Sequence, residues 1–131
     1  MIAAALLILA ALYLNRADER MLMLTTAVGV SYFLPVYLIT VPVTWYYACV
    51  ATEATVFIAA LVLRARASES IMFLCLMLSL CHITGLVFPI HAATNPYEII
   101  VPYLEYLELL SCSLFSTCIT NKIKEGVKWI L

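Results

Sequence analysis

Five apolar runs, most of them close to 20 residues long and separated by short polar breaks, limit this chain more than any other feature. They extend from Ile2 to Leu14, Met21 to Thr40, Trp45 to Leu63, Ile71 to Ile90 and Ile99 to Thr120. A hydrocarbon layer of about 30 Å takes about 20 helical residues to cross, because a helix rises about 1.5 Å per residue. The pattern therefore predicts an all-α, polytopic transmembrane helical bundle with four full spans (21–40, 45–63, 71–90 and 99–120) and a short N-terminal fifth (2–14). The first run reaches only about 20 Å, so it must tilt, thin the bilayer or span incompletely. Composition agrees. Of 131 residues, 66% are apolar and 11% charged, against about 45–50% and about 25% in soluble domains. A soluble enzyme is excluded, and residues 1–131 read as one integral membrane domain.

The breaks carry the turn chemistry. Val41-Pro42-Val43-Thr44 reads as a tight turn, Arg64 to Ser70 as a short polar connection, and His91 to Glu98 as the most loop-like stretch. Proline removes a backbone donor and disfavours helix at the residue before it. Pro35-Val36-x-x-x-Thr40-x-Pro42 and Pro89-Ile90-x-x-x-Thr94-x-Pro96 match at an offset of 54 residues. If this faint repeat is real, two similarly oriented helical hairpins lie side by side. The tail, 121–131, is amphipathic, with Ile123, Val127 and Ile130 on one face and its lysines available to anionic headgroups.

All seven basic residues fall in three clusters: Arg16 and Arg20; Arg64 and Arg66; Lys122, Lys124 and Lys128. Alternating spans put all three on one side, which the positive-inside rule makes cytoplasmic. The N-terminus is then outside and the C-terminus cytoplasmic. The outward turns hold no Lys or Arg, and Trp45, Tyr46, Tyr47, Tyr97 and Tyr103 form an interfacial aromatic belt there, with Trp129 as a further anchor in the tail. A secretory signal is not expected, since Arg16 and Arg20 follow the first apolar run instead of preceding it. No contiguous basic face suits nucleic acid. The expected partners are the lipid bilayer and other membrane subunits or copies of the same chain.

Four ionisable side chains lie within the predicted spans: Glu53, His82, Glu105 and Glu108. Counted from the outer ends of the runs, they share a layer about 10–14 Å deep. A carboxyl at the centre of a span costs about 2.5–3.5 kcal/mol to insert, whereas each Leu, Ile, Phe or Val returns only about 0.3–0.6 kcal/mol. These groups must therefore face other helices. Glu105 and Glu108 are three residues apart, and Cys112 and Ser116 continue their stripe. With no Lys or Arg at that depth, desolvation and mutual repulsion favour neutral carboxyls that share protons among themselves or with His82.

That pattern fits a proton relay or cation site. It equally fits neutral carboxyls that join helices through hydrogen bonds to Ser31, Thr52, Thr55, Thr84 or Tyr106. One His and three Glu suit Fe, Mn or Zn by ligand type, but no Glu-x-x-His spacing supports a metal site, and none is expected. Cys49, Cys75, Cys81, Cys112 and Cys118 show no CxxC spacing and read as small hydrophobes. Phosphate loops and nucleophile elbows are absent, so no catalytic residue and no cofactor is expected.

Three functions remain. The first is a non-enzymatic membrane subunit that packs into a larger homo- or hetero-oligomeric assembly. The second is a small proton or cation channel or transporter that uses the acidic layer. The third is a phage-type holin or other viral membrane protein, which size and a basic tail resemble only as a class.

Overall fold

A computed structural model describes residues 2–38, 42–87, 96–116 and 119–123. Among the described residues all regular structure is helical: α1 (Ile2–Asn15), α2 (Glu19–Leu38), α3 (Pro42–Leu63), α4 (Ser68–Val87) and α5 (Pro96–Leu114). The repeat segment around Pro89, the turn residue His91, and Lys124, Lys128 and Trp129 of the tail lie outside the described residues.

The helices form a ring in which α1 packs on α2, α2 on α3, α3 on α4, α4 on α5 and α5 back on α1, with α2 also reaching α5 across the middle. Connections of a few residues make α1 and α2, and α3 and α4, antiparallel neighbours. Small residues let the backbones approach: Ala4, Ala11, Ala60 and Ala67 are fully buried, beside Ile8, Met21, Leu24, Val28, Ile71 and Leu109. A Cβ built at Gly29 would sit 3.2 Å from the Ile8 methyl, so α2 meets α1 closely there and a side chain would require Ile8 to give by a few tenths of an ångström.

Helix boundaries differ from the sequence expectation in physically instructive places. Pro42 and Pro96, expected in turns, are the first residues of α3 and α5. At that position proline sacrifices no intrahelical bond and its fixed φ suits the helix. The fifth helix ends at Leu114, not near Thr120. Ser116, fully buried, starts a new helical turn over 119–123: its carbonyl accepts from the Thr120 amide at 3.0 Å and its Oγ from the Ile119 amide at 3.4 Å.

Asn15, the first residue beyond the Ile2–Leu14 apolar run, is the fully buried last residue of α1. α2 begins at Glu19 because Asp18 caps it, its carboxylate accepting from the Met21 amide at 3.2 Å. α3 closes on Arg64, whose φ of 48° is the left-handed conformation common just past a helix end.

Two stretches, Thr44–Leu63 and Ser68–Leu86, are long and apolar enough to cross a membrane. These are the two that qualify among the described residues; α1, at 14 residues, is too short. Only 22% and 28% of the two stretches is buried, unlike the core helices of a water-soluble protein. Ile58, Leu61, Val62, Phe73, Leu76 and Leu80 all point outward from them. Two such helices are the structural indication of a membrane-associated chain.

Candidate functional site

Each wall of the site comes from one helical stripe. Val28, Ser31, Tyr32 and Pro35 of α2 recur at i, i+3, i+4 and i+7, Trp45, Cys49, Thr52 and Glu53 of α3 at i, i+4, i+7 and i+8, and Glu105, Glu108 and Leu109 of α5 at i, i+3 and i+4. His82 of α4 completes the wall, and together these residues enclose a cavity of about 20 Å³. That is room for one water, which needs about 10–15 Å³.

All four ionisable residues singled out from the sequence line this cavity. Glu53 and Glu108 are 6% and 3% exposed and His82 1%, while Glu105 is half-buried. Measured to the ends of the described helices, Glu53 and Glu108 lie about 16 and 18 Å along α3 and α5, Glu105 about 13 Å, and His82 about 8 Å from the end of α4.

The side chains expected to satisfy the carboxyls are otherwise engaged. Thr52 donates to the Cys49 carbonyl at 2.9 Å, Thr55 to Ala51 at 2.8 Å, Thr84 to Leu80 at 2.7 Å and Ser31 to Val28 at 2.8 Å. Each hydroxyl proton stays on its own helix. The donor that reaches Glu108 is the Cys75 thiol of α4, 3.0 Å from Oε1. Glu53 Oε2 is buried and has no hydrogen-bond partner among the described residues. A buried oxygen in that state costs about 1–3 kcal/mol or more. His82 stacks edge-on against Trp45, ring centroids 5.8 Å apart. Pro35, lacking an N–H, removes the usual helical donor to the Ser31 carbonyl at the cavity wall.

Sequence reasoning missed Cys75. It sits two helical turns before His82 on the same face of α4, and that seven-residue spacing was the available signal. The stripe below the cavity continues through Cys112 and Ser116, both fully buried. Among the proposed interfacial aromatics, Tyr47 and Tyr103 are exposed and Trp45 and Tyr46 half-buried, Trp45 being turned to the cavity. The Tyr97 side chain lies outside the described residues. Of the basic clusters, Arg16, Arg20, Arg64, Arg66 and Lys122 are all exposed, and Arg16 lies over the Tyr13 ring at 4.0 Å.

No protein-family model, characterised protein or solved structure matches the chain. Its function must therefore be argued from the site alone.

Proposed function

We propose that this chain is a multi-pass integral membrane protein that accepts a small cation at the acid-lined cavity of its helix bundle, as a small channel or transporter. The observation that supports this reading is the convergence of Glu53, Glu105, Glu108 and His82 from three helices on one small cavity that, among the described residues, no Lys or Arg lines. Side chains that served only to join helices would be expected to exhaust their hydrogen bonds on one another. Glu53 Oε2 has no such partner, and Glu105 reaches the bundle edge, where a cation could enter. In this reading α2 and α5 cross the membrane with α3 and α4. The aliphatic stretches of α3 and α4 meet lipid, and the basic loops face the cytoplasm.

The test is cation flux into liposomes that contain the purified protein. Expected is flux above that of empty vesicles, lost in Glu53→Gln and in Glu105→Gln, each of which keeps the side-chain shape. Wild-type flux equal to that of empty vesicles, or flux unchanged in both variants, refutes the reading.

A second reading, a non-enzymatic subunit of a larger membrane assembly, is favoured by a separate feature. The exposed side of α1 and α2 carries an apolar groove of about 420 Å³, formed by Ile8, Leu12, Thr26, Gly29, Val30, Phe33 and Leu34. Such a groove suits close helix packing. A defined oligomer or a stoichiometric partner retained in mild detergent supports this role, and a stable monomer counts against it.

A further inference from the structure

We infer that Glu53, Cys75 and Glu108 form a binding site for a thiophilic divalent transition-metal ion of the Zn²⁺ or Co²⁺ type. The inference rests on the cation reading proposed for the cavity and narrows its cation class.

Three helices each contribute one ligand: Glu53 from α3, Cys75 from α4 and Glu108 from α5. One oxygen or sulfur of each lies within 4.8 Å of the other two. A point equidistant from three atoms at that limit is about 2.8 Å from each, so movements of about 0.5–0.8 Å give the Zn–O and Zn–S bonds of about 2.0–2.3 Å that such ions take. None of the three is more than 6% exposed. The independent sign of a ligand is Glu53 Oε2, a buried oxygen that has no partner among the described residues, in a side chain that lines the cavity. Hydrogen bonding within the cluster leaves that oxygen unsatisfied, whereas a cation would satisfy it.

The donor set selects the class of ion. Ca²⁺ and Mg²⁺ require six or more oxygens, and a thiol is a poor ligand for either. One sulfur with two carboxylate oxygens suits a tetrahedral ion of intermediate softness. The fourth position is available to a water, for which the adjoining cavity of about 20 Å³ has room. Coordination through sulfur takes the thiolate, so the Cys75 proton now directed at Glu108 leaves as the ion enters.

The test is Co²⁺ titration of the full chain in detergent micelles, followed by near-ultraviolet absorbance. Expected is a thiolate-to-cobalt charge-transfer band that saturates at one ion per chain and is displaced by Zn²⁺. Cys75→Ser should remove the band, and Glu53→Gln should weaken binding by about 100-fold or more. Cys81→Ser, a half-exposed thiol on the same helix, should leave it unchanged. X-ray absorption on the Zn²⁺-loaded wild type should find one sulfur among oxygen neighbours, a result that needs no variant to fold. No band in the wild type, a band that survives Cys75→Ser, or a zinc shell without sulfur overturns the site. The two proposals fail separately. Flux of monovalent cations without Co²⁺ binding removes the metal site alone, whereas Co²⁺ binding without any flux removes the transport role alone.

Discussion

Asn15 ties three helices together with a single amide. Its Nδ2 donates to the Cys112 carbonyl of α5 at 2.8 Å and to Thr25 Oγ1 of α2 at 3.2 Å, and Thr25 passes its own proton to the Met21 carbonyl at 2.7 Å. Asn15→Ala should therefore lower stability by about 1–3 kcal/mol, because it strands buried acceptors. Thermal unfolding in detergent would read this as a lower midpoint, and an unchanged midpoint would show that the amide contributes little. Asn15→Leu should be no better, since its added apolar bulk satisfies neither acceptor. At this scale legibility followed cost. Glu53, Glu105, Glu108 and His82 stood out because ionisable groups are expensive in apolar helices, and the structure brings all four to one cavity. Cys75 was invisible because a thiol counts as apolar in any hydropathy measure, although here it is a hydrogen-bond donor to a carboxyl. Asn15 was not legible as buried because a polar residue beside Arg16 ends the apolar run, and only its tertiary partners explain its burial.

Among elements, the weakest junction expected from sequence, α1, is held by close approach. Ile8 fills the space over Gly29, and α1 also packs on α5. Gly29→Ala requires Ile8 to yield by a few tenths of an ångström and should be tolerated. Gly29→Leu asks more of Ile8 and should loosen α1 from α2, costing about 1–3 kcal/mol as overpacking does. Proteolysis or amide exchange of residues 2–15 would register the loosening, and equal protection in both variants would contradict the packing. A milder effect is expected at the next helix start, where Asp18→Ala removes the cap on α2 and should cost about 1 kcal/mol. The existence and order of the five helices were legible from apolar runs and breaks. Their ends were less so, because a proline read as a turn residue serves as well in the first turn of a helix, and Ser116 interrupts an apolar stretch by capping the helical turn at 119–123.

For the molecule as a whole, the alternation of helices puts the α1–α2 and α3–α4 connections at one end of the bundle. The bond from Asn15 to Cys112 brings the C-terminal end of α5 to the same end. Arg16, Arg20, Arg64, Arg66 and Lys122 are thus gathered there, the asymmetry that would orient a membrane protein. Cysteines introduced as Ala17→Cys and Glu69→Cys should react with a membrane-impermeant maleimide from the same side of sealed vesicles. Labelling from opposite sides would contradict both the bundle and the orientation proposed from it. Charge clustering made this arrangement legible in the sequence. Among the described residues two stretches, Thr44–Leu63 and Ser68–Leu86, are long and apolar enough to cross a membrane, so the four full spans read from the sequence are matched in part.

The smallness of the acid-lined cavity sets how the protein could work if it carries ions. Space for a single water admits no queue, so two ions cannot be present together and one cannot push another onward. Traffic would proceed by successive single occupancies, it would level off as concentration rises, and a tightly held ion would block a loosely held one. Speed would then be limited by departure from the glutamates, not by arrival at them.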